Sequence, residues 1–358
     1  MKTKKVKIGN KFIGNGNEIL VQSMTNTLTK DAEKTVSQIK ALERAGCELV
    51  RVSVPDEASA EAIKVIKKNI DIPLICDIHF DHKLAILAIK NGADKIRINP
   101  GNIHKNHLAE IIKMALDFDI AIRIGVNAGS LHDVCDDALS LEKKASIMTQ
   151  KTLDFINIFE QNNFYNLVIS LKSSDINLNY LAYKNFSLVS DYPVHIGLTE
   201  SGSIFSGLIK SSIALSELLK ENIGDTIRVS LTDDPIYEIF AAYNILNCLG
   251  IRKKYPTLVS CPTCARTTIN VIELIKEIEK YIYTLDFSGN KSIPIKIAVM
   301  GCVVNGPGEA KDADIAMSGV GNKVMIFKKG NLLETFDKSL IKEKFKQILE
   351  NIEKNNTI

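Results

Sequence analysis

Between residues 19 and 248 the chain alternates, eight times over, a short run rich in β-branched residues with a longer helix-like stretch. The short runs are "ILVQSM", "LVRVSV", "PLICDI", "DKIRINP", "AIRIGVN", "LVISLKS", "VHIGLTE" and "TIRVSLT". Helical patterns follow, among them Asp31 to Ala45, Ala58 to Asn69, His107 to Phe118 and Pro235 to Leu249. Eight β-α units in about 230 residues predict a TIM (β/α)8 barrel. An open doubly wound sheet is the competing architecture. The strand count favours the barrel, and no G-x-G-x-x-G follows the first strand.

Four of these runs carry arginine between two β-branched residues: Val50-Arg51-Val52, Ile96-Arg97-Ile98, Ile122-Arg123-Ile124 and Ile227-Arg228-Val229. Side chains alternate across a strand. The apolar neighbours face the covering helices, so each arginine points into the barrel. Lys172 in "ISLKSS" adds a fifth cation. A buried guanidinium without a partner is very costly. Asp77 and Glu200 are the available carboxylates, and two acids do not neutralise five cations. A phosphate or diphosphate ligand does, because arginine grips phosphate with a bidentate fork.

Other polar residues sit at strand ends, where this fold keeps its catalytic groups. They are Gln22, Asp77, Asn99, Asn127, His195, Glu200 and Ser230. Glu200 ends a strand before Ser201-Gly202 and is placed to protonate a leaving group. Asp77 also reads as a helix cap, and His195 as a satisfied core histidine. The glycine-containing "GVNAGS" (Gly125 to Ser130) reads as a loop that enters the next helix and offers backbone N–H groups to an oxyanion. His79 and His82 straddle a strand end and read as loop.

The rest of the chain reads as a second, small α+β domain. The predicted boundaries are 1–249 for the barrel and 250–358 for this domain, with residues 250–260 as linker. "IKIAVM" (Ile295 to Met300) reads as a strand, "VMIFKKGNLLETF" (Val324 to Phe336) as a hairpin and Leu340 to Ile352 as a closing helix. "SCPTCAR" (Ser260 to Arg266) holds Cys261 and Cys264, and "MGCVVNGPGEA" (Met300 to Ala310) holds Cys302. No histidine lies in this domain. Glu309 follows a predicted tight turn, "NGPG" (Asn305 to Gly308). Three thiolates and one exchangeable oxygen ligand suit a 4Fe–4S cluster with one distinct iron. A three-cysteine zinc site with water, or a C-x-x-C redox pair, stays open on spacing alone. Cys47, Cys76, Cys135 and Cys248 stand mostly among apolar residues and read as buried structural thiols.

Composition excludes little else. Net charge is +3, tryptophan is absent and aromatics are 6% of residues, which argues against a nucleic-acid surface. The basic start, Met1 to Lys7, has no apolar run behind it, and no stretch approaches a membrane span. Seven cysteines without a secretory leader point to a reducing, cytoplasmic setting.

The motifs "VQSMTNT", "VRVSVP", "IRINPGN", "IRIGVNAGSL", "HIGLTESG", "SCPTCART" and "MGCVVNGPGEA" resemble the bacterial 4-hydroxy-3-methylbut-2-enyl diphosphate synthase family over nearly the whole chain. The resemblance implies a TIM barrel followed by a 4Fe–4S domain, in the short two-domain form. It implies an iron–sulfur oxidoreductase of isoprenoid precursor synthesis. The family reduces 2-C-methyl-D-erythritol 2,4-cyclodiphosphate in the penultimate step of the non-mevalonate pathway, with electrons from flavodoxin or ferredoxin. It further implies cluster ligands at Cys261, Cys264, Cys302 and Glu309, and a catalytic acid at Glu200. Substrate contacts are implied at Arg51, Arg97, Arg123, Asn127, Lys172, Arg228 and Ser230, with Asp77 and His195 beside them. A homodimer is expected, the cluster domain of one chain closing the barrel of the other. Two other function classes compete: a phosphate-binding barrel lyase with a structural zinc domain, and a non-enzymatic iron–sulfur sensor.

Overall fold

A short hairpin precedes the barrel. Its strands, β1 (Val6–Ile8) and β2 (Lys11–Ile13), pair antiparallel and alternate buried with exposed residues. The computed structural model describes residues 2–355 apart from 100–101, 132–133, 135–137 and 305. The chain divides into two compact units, Met1–Leu249 and Gly250–Ile358.

The barrel strands of the first unit are β3 (Leu20–Met24), β4 (Leu49–Ser53), β5 (Leu74–Ile78), β6 (Lys95–Ile98), β7 (Ala121–Asn127), β8 (Leu167–Lys172), β9 (His195–Ile196) and β10 (Thr226–Ile227). Every pairing along the order β8-β7-β6-β5-β4-β3-β10-β9 is parallel. A parallel bridge from Ile169 to Val194 joins the two ends of that order, so the ring closes. The helices between and after the strands are α1 (Ala32–Arg44), α2 (Glu57–Lys68), α3 (His82–Lys90), α4 (Lys105–Asp117), α5 (Leu141–Gln161), α6 (Ile176–Val189), α7 (Ile204–Lys220) and α8 (Pro235–Cys248). Asp31, Asp56, Asp81, Asp175 and Asp234 each start a helix by accepting a backbone N–H from its first turn. Asp81 fills that role for α3, so Asp77 is no helix cap.

The hairpin supplies the barrel floor. Val6, Ile8 and Ile13 pack in one buried cluster with Leu20, Leu49, Ile75, Ala121 and Val168, the first inward-facing residues of five strands. Two residues further along each strand, alternation brings Gln22, Arg51, Asp77, Arg123 and Ser170 inward. The interior therefore changes from apolar to polar within one layer.

The second unit contains β11 (Thr257–Ser260), α9 (Val271–Ile282), β12 (Lys296–Met300), α10 (Gly306–Asp312), β13 (Ile315–Val320), β14 (Lys323–Lys328), β15 (Asn331–Asp337) and α11 (Ile341–Asn355). Its sheet runs β11-β12-β13-β14-β15, the first three parallel and the rest antiparallel. Two expectations change here. Thr257–Ser260, expected to be linker, is an edge strand paired with β12. Gly306–Gly308, expected in a tight turn, opens α10; Asn305 lies outside the described residues. The unit's core gathers Ala298, Met300, Ala313, Ala316 and Phe327, with Val259 and Cys261 against it.

Candidate active site

A cavity of about 330 Å³ opens at the C-terminal ends of the barrel strands. Arg51, Arg97, Arg123, Lys172 and Arg228 line it, facing only Asp77 and Glu200 as carboxylates. Asn127, Ser230 and Thr199 add neutral polar groups. His79, expected to be plain loop, also lines it, with Nε2 3.6 Å from Asp77 Oδ2.

The cations differ in how far the protein itself neutralises them. Arg97 Nη1 donates to Asp77 Oδ1 at 3.1 Å, and Arg51 Nε lies 3.7 Å from Asp77 Oδ2. Burial alone would raise the Asp77 carboxyl. Arg51, the nearby His79 ring and Arg97 outweigh it and hold the group far below the usual carboxylate range. Arg228 is gripped from below by a residue not anticipated from sequence. Its Nε and Nη2 donate to the two carboxylate oxygens of Glu238 on α8, at 3.1 and 3.0 Å. Glu238 is buried and also accepts from Ser23 Oγ and the Leu231 N–H. That leaves Arg123 and Lys172. Among the described residues no carboxylate is within ion-pair distance of either. Arg123 is 1% exposed; its Nη1 donates to Ser170 Oγ at 3.2 Å, and its buried Nε has no partner among the described residues. Burial, then the neighbouring guanidinium charges, pushes both groups well below their ordinary values.

Two glycines make room for these head groups. A Cβ on Gly125 would stand 2.6 Å from Arg97 Nε, and one on Gly197 would stand 2.8 Å from Lys172 Nζ. Gly125 is thus a packing residue at the strand's inner face. "GVNAGS" does not enter a helix directly: it ends β7 and makes a 3₁₀ turn, Ala128–Ser130, while α5 begins only at Leu141. Glu200 sits at the rim, exposed, with φ +56°, in the left-handed region that non-glycine residues rarely occupy. Such strain collects at functional positions.

Gln22, Asn99 and His195 are expected mouth residues that do not line the cavity. Gln22 and Asn99 are buried, the latter donating to Ser130 Oγ at 3.1 Å. His195 is fully buried, with Nδ1 2.8 Å from Thr226 Oγ1 and Nε2 without a partner. Burial, then the charges of Lys172 and Arg123, lowers its pKa well below the ordinary histidine value and keeps the ring neutral. Lys95, two residues before Arg97, is also fully buried with an unpartnered Nζ, and burial drives its pKa down.

In the second unit Cys261 directly follows β11, and Cys302 follows β12 by two residues. These strands are parallel neighbours, so both thiols leave the same end of the sheet. Cys261 Sγ accepts the Gly301 N–H at 3.2 Å. Hydrogen bonding to the Arg266 backbone, then the Arg266 charge and Thr267, lowers the Cys264 pKa toward the thiolate form. Glu309 lies on α10, 3.8 Å from Lys296 Nζ. The three cysteine sulfurs are not all within 4.8 Å of one another, since the one such donor group among the described residues lies elsewhere. One tetrahedral zinc needs thiolates about 3.8 Å apart, from its Zn–S bond of about 2.3 Å. An iron–sulfur cluster, where each thiolate takes a different iron, accepts a wider set, and backbone N–H bonds to sulfur are part of such sites. The donor chemistry fits a cluster. Cys47 and Cys76 are buried, and burial pushes the Cys47 thiol up to about 12. Cys248, expected among them, is exposed; Cys135 lies outside the described residues.

Residues 3–243 match the family model described as GcpE TIM-barrel domain, and residues 257–351 the one described as GcpE protein C-terminal domain. The chain belongs to the GcpE family. A GcpE relative from Caldanaerobacter subterraneus subsp. tengcongensis is 50% identical over 97% of this chain and 96% of its own length. One from Halalkalibacterium halodurans is 47% identical, covering 98% and 94%. Both are named 4-hydroxy-3-methylbut-2-en-1-yl diphosphate synthase (flavodoxin). Among solved structures, dihydropteroate synthase from Stenotrophomonas maltophilia superimposes with TM-score 0.54 at 14% identity, covering 69% of this chain and 97% of that one. At that identity the likeness concerns the GcpE barrel fold alone. No described helix of this GcpE chain is long and apolar enough to cross a membrane.

Proposed function

We propose that this chain is a 4-hydroxy-3-methylbut-2-en-1-yl diphosphate synthase that reductively opens 2-C-methyl-D-erythritol 2,4-cyclodiphosphate. One observation carries the substrate assignment: Arg123 and Lys172, buried at the cavity wall, have no carboxylate partner among the described residues. A cyclic diphosphate supplies the missing negative charge. Arg51 and Arg97, oriented by Asp77, and Arg228, oriented by Glu238, offer their remaining N–H groups to phosphate oxygens. Asn127 and Ser230 serve as neutral donors to the same ligand.

Cys261, Cys264, Cys302 and Glu309 are the proposed holders of a 4Fe–4S cluster, which when bound supplies two electrons, one at a time, from flavodoxin. The ring C–O bond breaks, a hydroxyl departs as water with a proton from Glu200, and a linear allylic diphosphate remains. Anaerobic turnover of the cyclic diphosphate with a chemical one-electron reductant tests the reading. Absence of the linear product from cluster-loaded protein would return the chain to the lyase or sensor class.

Lys172 gives a pH signature. In the free protein burial and the arginines hold its pKa down. A bound diphosphate reverses the repulsion and raises it. The complex then carries more protons than the free protein, so binding takes up protons, and affinity falls as pH rises from the lowered value toward the ordinary lysine range near ~10.4. Calorimetry in buffers of different ionisation enthalpy measures the uptake. In the same titration, Arg123→Ala is expected to cost roughly 1.5–3 kcal/mol of binding with the cluster spectrum intact. Unchanged affinity would mean that Arg123 serves only the barrel's internal packing.

Glu200→Gln retains shape and loses the proton. Substrate affinity is expected to stay within a few-fold, and turnover to fall by roughly 10²–10⁴. Near-normal turnover removes Glu200 as the acid.

A further inference from the structure

Four of the six histidines of this chain are His79, His82, His104 and His107, on the two β-α connections that follow β5 and β6. His79 belongs to the cavity already described. The others stand apart from it, at the starts of α3 and α4. His82 and His107 lie face to face, ring centroids 3.7 Å apart and planes 8° from parallel. His107 and Glu110 are three residues apart on α4, a spacing that puts both side chains on one helical face. One donor atom from each of His82, His107 and Glu110 falls within 4.8 Å of the other two.

The ring nitrogens have few other uses. His107 Nδ1 is buried without a hydrogen-bond partner. His82 Nε2 faces Glu110 Oε2 at 3.8 Å, and His82 Nδ1 faces Asp81 Oδ1 at 3.7 Å, both beyond hydrogen-bond reach. Asp81 is itself fixed, because the same oxygen accepts the Lys83 N–H at 2.8 Å. A carboxylate behind one nitrogen of a histidine, with the other nitrogen turned toward further donors, is the arrangement that orients metal-ligating histidines. Apolar packing alone would leave the buried Nδ1 uncompensated.

We propose that His82, His107 and Glu110 form a binding site for a borderline divalent cation of the Zn²⁺ class, separate from the cysteine set. Imidazole and carboxylate suit such ions. Tetrahedral bonds of about 2.0–2.2 Å set donors roughly 3.4 Å apart, so the group must contract by about an ångström. A ring lone pair lies in the ring plane, so the stacked rings cannot both point at one ion. His82 turns out of the stack, and the exposed Glu110 carboxylate swings in. The bound cation ties the first residue of α3 to the first turns of α4, bracing the two connections beside the mouth.

Zn²⁺ itself is the probe. Cluster-loaded protein, with its cysteines occupied, is titrated anaerobically in a non-chelating buffer, and the zinc shell is read by X-ray absorption. One Zn²⁺ per chain is expected, with nitrogen and oxygen neighbours at about 2.0–2.1 Å and no sulfur. His107→Gln and Glu110→Gln are each expected to weaken binding at least ~10-fold. Glu110 is exposed, so its variant stays informative if the histidine variant folds poorly. A sulfur shell, no binding, or unchanged affinity in Glu110→Gln overturns the proposal.

Discussion

In the Cys302→Ser protein no iron–sulfur absorption and no turnover are expected, and Cys261→Ser and Cys264→Ser behave alike. The reason is the sheet. Because β11 and β12 are parallel neighbours, Cys261 and Cys302 emerge side by side, and neither has a nearby histidine or spare thiol to replace it. A serine oxygen is a poor substitute for a soft thiolate on iron. Glu309→Ala differs in kind. Three thiolates remain, so part of the iron is retained while activity is lost. Iron content and visible spectra separate the cases, and a wild-type spectrum from Cys302→Ser would remove that residue from the ligand set.

The second large effect is restoration rather than loss. A Cys261→Ser chain, inactive alone, and an Arg97→Ala chain, weakened in substrate binding, are expected to gain activity at low substrate concentration when their subunits exchange anaerobically. The chain path limits which mouth a cluster domain can reach. In a (β/α)8 barrel each helix carries the chain away from the mouth. α8 has 14 residues and so runs about 21 Å in that direction. Since Thr257–Ser260 is already strand, the free connection shrinks to residues 250–256, which extend to about 23–25 Å at most. Nearly all of that length would go into retracing α8 if a chain served its own mouth. In the proposed head-to-tail homodimer, one site of each heterodimer joins an intact barrel to an intact cluster domain. A verified heterodimer without that gain would show that each chain serves itself.

The inward cations were legible because strand alternation is strict: Arg51, Arg97 and Arg123 each sit between two apolar residues that have to face helices. The same period applied two residues earlier in "DKIRI" places Lys95 inward, a signal present in the sequence but easily read as the strand's polar end. Glu238 was harder. It reaches the mouth from a helix, and its one mark is that it is the only acidic residue in the apolar "PIYEIFAAYNILNC". The histidine site was hidden for another reason. His82 and His107 lie 25 positions apart and meet only because α3 and α4 are neighbours in the helix ring. In the second unit, Thr257–Ser260 resembles a linker because an edge strand with partly exposed residues shows no sustained apolar run.

The hairpin of β1 and β2 has a bearing on traffic through the molecule. By filling the base with Val6, Ile8 and Ile13, it makes the barrel a dead-end vessel. On the proposed reading, reactant and product would share the mouth as their doorway, and a departing allylic diphosphate would have to vacate it before the next cyclic molecule enters. Opening the base, for instance with Ile8→Ala and Ile13→Ala together, would turn a gated vessel into a leaking one.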